Sequence, residues 1–296
     1  MRYQNLIVFH NGKYDKAQKA REHLFNQTMH YGVGVFEGIR AYRTIEGGVR
    51  IFKAQEHFER LSRSAQAIHI DIPYPNKELE DIAYKLLEKN QLTDAYIRPL
   101  VYLGEEMSLH PSRQVNVFMG VWQWGKYLGD KPLKVMISSY ERPNPKAFPQ
   151  NAKINGAYVN SSLATHEAHQ KGFDEALLCD MKGNIAEGAG QNFFCEKDQI
   201  LYTPPLGNIL PGITRATIIQ LAKKLGMKVE EKYFGPDALQ EIDGAFFTGT
   251  ATEVACIQSI DGQKVKLPWE ETMGYALQQE YLEYVRAESY QTYTII

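Results

Sequence analysis

Lys153, in Asn151-Ala152-Lys153-Ile154-Asn155-Gly156-Ala157-Tyr158, opens a chemically informative order of residues. Glu187-Gly188-Ala189-Gly190-Gln191-Asn192 follows, with Glu187 34 positions after the lysine. Next come Leu210-Pro211-Gly212-Ile213-Thr214 and then Thr248-Gly249-Thr250-Ala251-Thr252-Glu253. A lysine amine condenses with an aldehyde once it is deprotonated, a state favoured by desolvation or by a neighbouring cation. A carboxylate can pair with a protonated pyridine nitrogen and make that ring a better electron sink. A Pro-Gly turn that opens a helix presents unsatisfied N–H groups beside the Thr214 hydroxyl, which suits a phosphate. Gly249-Thr250-Ala251, at the end of a strand, offers a second set of N–H groups. An amine, one carboxylate and two phosphate turns make the kit for holding pyridoxal phosphate.

Each part is ordinary when taken alone. A lysine is usually a surface charge, a glutamate in a turn is usually solvated, and Thr214 could simply cap its helix. The order and spacing of all four parts carry the argument. Other motifs fail on their own terms. Gly32-Val-Gly34-Val-Phe-Glu-Gly38 has its third glycine one residue late for a dinucleotide fingerprint, and it precedes a β-like stretch rather than a helix. His166 and His169 lack the spacing of a metalloprotease helix, and no metal site is expected. There is no nucleotide P-loop and no nucleophile elbow.

Composition narrows the partners. The 296 residues carry a net charge of −2, so no electrostatic case exists for nucleic acid or an anionic membrane. Three widely spaced cysteines, Cys179, Cys195 and Cys256, form no CxxC pair, and each lies in an apolar or β-like run that reads as a buried thiol. The N-terminal segment lacks a signal-peptide core, and no apolar run reaches the roughly 18 residues that span a bilayer. A cytoplasmic protein is expected.

The elements that must position these residues read as α+β. Asn11-Gly12 between Leu6–Phe9 and Lys13-Tyr14 predicts a hairpin. Strands are predicted over 35–43, 49–52, 95–103 and 115–124. Helices are predicted over 53–68, with Phe58, Leu61, Ala65 and Ile68 inward, and over 77–89, with Leu79, Ile82, Ala83, Leu86 and Leu87 inward. Gly and Pro in the stretch after Trp124 mark a linker, giving domains at 1–124 and 134–296 joined by 125–133. Beyond it, strands are expected over 134–140, 176–180, 185–186, 192–196, 244–248 and 254–260. Helices are expected over 157–170, 213–225 and 273–285, and 142–150 reads as an irregular loop.

With these segments on the page, the chain resembles the class IV aminotransferases of the fold-type IV group, and within them the branched-chain amino acid aminotransferases. The likeness runs from about Tyr3 to Gly262. It rests on His30-Tyr31-Gly-Val-Gly-Val-Phe36-Glu-Gly-Ile-Arg40, His57-Phe-Glu-Arg60-Leu, Ala95-Tyr96-Ile-Arg98-Pro and Trp124-Gly-Lys-Tyr127-Leu-Gly, together with the four segments above. The resemblance implies a smaller N-terminal α/β sandwich domain and a larger C-terminal pseudo-barrel domain. It implies that Lys153 is the catalytic residue, binding the cofactor covalently and shuttling the proton. Tyr158 would bond the ring hydroxyl and Glu187 the ring nitrogen. Arg60, the Ile213 and Thr214 amides and Thr250 would hold the phosphate, with Leu210 also in the cofactor set.

For the substrate, the resemblance assigns the α-carboxylate to Tyr96 and the Thr250-Ala251 amides. It assigns the distal carboxylate of glutamate to Arg98, helped by Tyr31 and Tyr127. Phe36, Trp124, Tyr127 and Tyr158 would line the apolar pocket, and Arg40 joins the substrate set. Tyr31 and the Met107–Leu109 loop, Leu109 included, would reach in from a neighbouring subunit. The implied reaction is transamination between leucine, isoleucine or valine and 2-oxoglutarate, in a homodimer or higher homo-oligomer with shared active sites, serving branched-chain amino acid biosynthesis. Burying one aliphatic side chain in an aromatic box is worth about 1.5–3 kcal/mol, while a rim arginine serves the charged arm.

Gln191 stands where many of the family carry Glu. The wording around Lys153 and the loop at 105–109 also depart from the commoner pattern. These departures bear on substrate range rather than cofactor use. Within the same fold, a D-amino acid or (R)-amine aminotransferase or an aminodeoxychorismate lyase is the alternative. The Tyr96-x-Arg98 pair and the Phe36–Arg40 run favour the branched-chain enzyme. A non-catalytic relative would have lost Lys153, Glu187 or the phosphate ligands, and none is lost.

Overall fold

A computed structural model describes residues 3–125 and 127–287. The chain forms two compact units, one of Met1–Gly125 with Ala152–Ala157 and the chain from Val285, the other of Lys126–Asn151 with Tyr158–Tyr284. The sequence-based division assigned 134–296 to a single domain. The segment carrying Lys153 instead groups with the first unit. Backbone bonding explains this: Phe36 N–H donates to the Lys153 carbonyl, Gly156 N–H donates to the Gly32 carbonyl, and Val35 and Ile154 form a bridge. Gly32 has φ +71°, and a Cβ on it would lie 2.9 Å from the Gly156 Cα, so glycine alone permits this approach.

The first unit is a seven-stranded sheet with helices packed on it. In chain order come β1 (Ile7–His10), β2 (Lys13–Lys16), α1 (Gln27–Tyr31), β3 (Gly34–Phe36), β4 (Ile39–Arg43) and β5 (Val49–Ile51). They are followed by α2 (Ala54–Gln66), α3 (Asn76–Asn90), β6 (Ala95–Leu103) and β7 (Val115–Trp122). The strand order is β2-β1-β7-β6-β4-β5, with β3 also on β6. Asn11 and Gly12 both have positive φ, as the tight β1–β2 hairpin requires. α2 and α3 pack on each other, and both reach the sheet. Phe58, Leu61 and Ala65 of α2 and Leu79, Ala83, Leu86 and Leu87 of α3 are fully buried. Ile68 lies past the end of α2 and is only half-buried.

One strand expected over 35–43 is two. Glu37 and Gly38 interrupt it, because the Glu37 side chain turns into the unit while Gly38 passes under Tyr96. This break sets the course of β4 against β6, where Arg40 pairs with Tyr96. Tyr96 and Arg98 lie two apart on β6 and share a face.

The second unit holds β8 (Leu133–Ile137), α4 (Tyr158–Gln170), β9 (Glu175–Cys179), β10 (Ile185–Gly188), β11 (Asn192–Lys197) and β12 (Ile200–Thr203). It continues with α5 (Ile213–Lys224), β13 (Lys228–Glu231), β14 (Gly244–Gly249), β15 (Glu253–Ile260), β16 (Gln263–Lys264) and α6 (Met273–Arg286), of which Val285 and Arg286 group with the first unit. The order β10-β9-β8-β15-β14-β11 closes on itself because β10 also pairs with β11, giving a barrel-like ring. Phe193, Phe247, Leu177, Val135 and Ile257 fill its core. The β12 and β13 strands were not expected. The latter is Lys-Val-Glu-Glu, too polar to show a strand pattern, and it forms by parallel pairing with β12. Of the cysteines, only Cys195 is buried; Cys179 and Cys256 are half-buried, a correction to the sequence reading. Burial still pushes the Cys195 and Cys256 thiols up to about 12 and Cys179 up to about 11, so none is a ready nucleophile.

Gly38 gives the fold its sharpest local test. A Cβ there would lie 2.0 Å from the Tyr96 hydroxyl oxygen. Gly38→Ala is expected to displace Tyr96 and to cost about 1–3 kcal/mol, as overpacked sites do. Thermal unfolding checks this, and a wild-type Tm would contradict the tight passage.

Candidate active site

In the first unit one face of α2 organises the site. His57, Arg60 and Ser64 lie at i, i+3 and i+7, which places them on one side of a helix. The Ser64 hydroxyl accepts the Lys153 backbone N–H at 2.9 Å. Arg60 donates from Nε and Nη2 to the two oxygens of Glu37, at 2.6 and 3.0 Å. His57 Nδ1 lies 2.7 Å from Glu37 Oε2; because an ionised carboxylate only accepts, Nδ1 carries the proton. Glu37 is 0% exposed and His57 1%, so the bonds have no solvent competitor. Lys153 Nζ sits over the Phe36 ring, 4.9 Å from its centroid.

Around Phe36 gathers an aromatic and cationic group. The Arg98 guanidinium lies 4.6 Å from the Phe36 centroid and donates from Nη2 to the Tyr96 hydroxyl at 2.9 Å. Tyr96 meets Trp124 edge-on at 4.7 Å between centroids. Arg98 Nε is buried with no hydrogen-bond partner among the described residues. Such an orphaned charged donor is costly unless something accepts from it. Arg40 spends donors on the Trp124 and Gly125 carbonyls, so it holds the backbone that carries Trp124. Tyr31 stands apart from this group: it is exposed, and its hydroxyl donates to the Met107 carbonyl. Gln27 binds the Ser108 and His110 carbonyls, which fixes the loop bearing Met107 and the very exposed Leu109.

The second unit has its own group of polar side chains, built on Glu187 at the seam where β10 meets β11. Glu187 is 5% exposed. Its carboxylate accepts from Asn192 Nδ2 at 3.1 Å and from the Leu210 N–H at 3.2 Å, and Arg142 Nε lies 3.0 Å away. Asn192 also donates to the Leu210 carbonyl, so one amide ties Glu187 to the Pro-Gly turn. Leu210 thus enters through its backbone. α5 begins at Ile213 with Gly212 as a cap that contributes no side-chain bond, and Thr214 is buried in its first turn. Thr248, opposite Asn192 in the β11–β14 register, keeps a buried hydroxyl with no partner among the described residues. Gly190 faces open space. Tyr127 and Tyr158 line a cleft of about 350 Å³ with Thr165 and Gly190, and Tyr127 N–H donates to the Ala251 carbonyl beside Thr250.

Gln191 does not point into that cleft as a recognition group. Its amide donates to the buried Glu175 at 3.0 Å, and its oxygen accepts the Gly190 N–H at 3.0 Å. A glutamate in its place would set two buried carboxylates against each other. Sequence reasoning missed Glu37, His57, Arg142 and Asn192. Asn192 alone carried a signal, since a hairpin across Gly188–Gln191 places it opposite Glu187.

These parts fit a phosphorylated pyridine aldehyde. The first unit carries an amine on a fixed backbone, and the second carries a buried, oriented carboxylate, a helix start without a side-chain cap and the orphan Thr248 hydroxyl. Comparison with known proteins agrees. The family described as Amino-transferase class IV matches residues 34–260. A branched-chain-amino-acid aminotransferase of Pseudomonas aeruginosa is 40% identical over 289 residues, 96% of this chain and 94% of that one. A branched-chain aminotransferase structure from Thermoproteus uzoniensis, with norvaline, aligns at TM-score 0.91 and 35% identity over 95% of both chains. A branched-chain amino acid aminotransferase structure from Thermobaculum terrenum, in its PLP form, aligns at TM-score 0.89 and 31% identity over 96% of this chain and 95% of that one.

The buried trio predicts an acid response. Burial pulls the His57 imidazole below its ordinary 6.5, against the opposing pull of Glu37. Burial opposes ionisation of Glu37 most, yet Arg60 and His57 together hold it well below the usual 4.5. In both cases the unfolded chain binds protons that the folded chain does not, so stability falls with pH, first below 6.5 and then below 4.5. His57→Gln, which can still donate to Glu37, is expected to remove the first part of that loss. Melting curves over a pH series check it; parallel wild-type and variant profiles would mean that His57 is not held neutral.

Proposed function

The chain belongs to the class IV aminotransferases, and on that premise we propose that it moves the α-amino group of a branched-chain L-amino acid to 2-oxoglutarate. The products are the branched 2-oxo acid and L-glutamate. The family implies pyridoxal phosphate as cofactor. When bound, that cofactor supplies an electron-withdrawing ring and carries the amino group between the two half-reactions. Lys153 Nζ takes the proton from the substrate Cα and returns it, and Ser64 and Phe36 fix the backbone from which it works. Glu187 holds the ring N–H, oriented by Arg142, Asn192 and the Leu210 amide. Arg60, the Ile213 and Thr214 amides and Thr250 hold the phosphate, and Tyr158 the ring hydroxyl.

Arg98 is the observation that carries the substrate assignment. A guanidinium packed on Phe36 and Tyr96, with a buried unpartnered Nε, joins an apolar surface to a carboxylate acceptor site. Phe36 and Trp124 present faces to a branched aliphatic chain, and Arg98 receives the distal carboxylate of glutamate. Arg40 acts by holding the Trp124–Gly125 backbone. The same Tyr96–Arg98 pairing favours this reading over a D-amino acid enzyme.

We further propose that a second copy of the chain covers α1 and the 105–110 loop. Leu24, Phe25, Met29, Tyr31, Met107 and Leu109 are all exposed there. The loop is tied to α1 by Gln27 and Tyr31, as a preformed contact surface would be. No helix among the described residues is long and apolar enough to cross a membrane. Three unpaired cysteines suit a reducing cytoplasm.

Arg98→Ala separates the half-reactions. The leucine half-reaction has no distal charge and is expected to change by only a few fold. The glutamate half-reaction loses a charge-assisted partner worth about 2 kcal/mol at a partly exposed site, roughly 30-fold in rate. Single-turnover kinetics with each amino donor decides it. Equal losses would withdraw the dual-recognition reading, and turnover of D-alanine in preference to leucine would favour the D-amino acid alternative.

A further inference from the structure

Glu37 has no part in the reaction described above, yet it is the most completely buried carboxylate beside it. It sits in the break between β3 and β4, at 0% exposure. Its oxygens accept from Arg60 Nε and Nη2, from His57 Nδ1 and from the Gly38 N–H at 3.1 Å. Two nitrogens of one planar guanidinium bound to two oxygens of one carboxylate fix both the position and the plane of that guanidinium. His57 and the Gly38 amide, bound to the same carboxylate, stop it from turning. An arginine on a long flexible stem ordinarily loses much side-chain entropy when it binds a ligand. Here that entropy is lost on folding instead.

We infer that Glu37 is a positioning residue for the cofactor phosphate: it fixes the Arg60 guanidinium, and His57 locks the carboxylate that does so. The inference rests on the reading that Arg60 holds the phosphate. It goes against a simple charge argument, because a carboxylate beside the arginine offsets part of its positive charge. Geometry and charge therefore predict opposite results when Glu37 is neutralised. If position dominates, phosphate recognition weakens. If charge dominates, it strengthens.

The test compares pyridoxal phosphate with pyridoxal, which lacks the phosphate, as ligands of the full-length chain stripped of cofactor and titrated by absorbance. The ratio of the two dissociation constants reports phosphate recognition alone. A change that merely loosened the fold would weaken both ligands together and leave the ratio unchanged. Glu37→Gln is expected to lower the phosphate preference about tenfold. Glu37→Asp, which keeps the charge but withdraws the carboxylate by one methylene, is expected to lower it comparably. The Asp variant decides alone if the Gln variant does not fold. An unchanged or raised ratio in Glu37→Gln, or an unchanged one in Glu37→Asp, overturns the inference. Arg60→Gln, which can still donate to Glu37, is the control on the underlying reading. If its ratio equals wild type, Arg60 does not hold the phosphate. If its ratio falls while that of the Glu37 variants does not, Arg60 holds the phosphate without help from Glu37.

Discussion

A carboxylate at 5% exposure beside a half-buried arginine constrains the second unit. Glu187 must be matched on every side, because an unpaired buried charge costs several kcal/mol. The matching groups come from three separate segments: Arg142 in the proline-rich loop, Asn192 across the β10–β11 hairpin, and the Leu210 amide in the turn before α5. Satisfying one charge therefore fixes a loop, closes the strand ring and sets the turn that opens α5. The Glu187 carboxylate gains its orientation from the same bonds.

The first unit solves a similar problem around Glu37. There too a buried carboxylate is paired with an arginine, and there too the partners lie on a separate element, α2. The helix that supplies them also fixes Lys153 through Ser64. These side chains are thus held by the rigid face of a helix rather than by loops, which leaves them little freedom to reorganise. Pairing a charge with its opposite inside each unit also means that removing one partner by mutation carries a folding penalty in addition to any loss of binding.

Much of this was legible in the sequence because it is local. The Asn11-Gly12 hairpin, the inward faces of α2 and α3, and the helix start after Pro211-Gly212 each follow from a few neighbouring residues. The family resemblance pointed to Lys153, Glu187 and Arg98 as site residues. What stayed hidden depends on long-range pairing. Arg142 lies among prolines with no pattern to mark it. Glu37 read as one position in a continuous strand, and only its contacts with His57 and Arg60 show why the strand breaks there. Gln191 looked like a change in substrate recognition, whereas its amide answers the buried Glu175. Chain continuity misled as well: residues 152–157 follow the second unit's strand β8 in sequence but pair with β3 and Gly32.

The central claim is that Lys153, fixed by Ser64 and packed on Phe36, is the lysine that holds the cofactor. Borohydride reduction of the protein incubated with pyridoxal phosphate, followed by peptide mapping, tests it most directly. The account predicts a phosphopyridoxyl group on the peptide containing Lys153 and on no other lysine. A label on a different lysine, or a colourless protein that takes no label after incubation with pyridoxal phosphate, would contradict it.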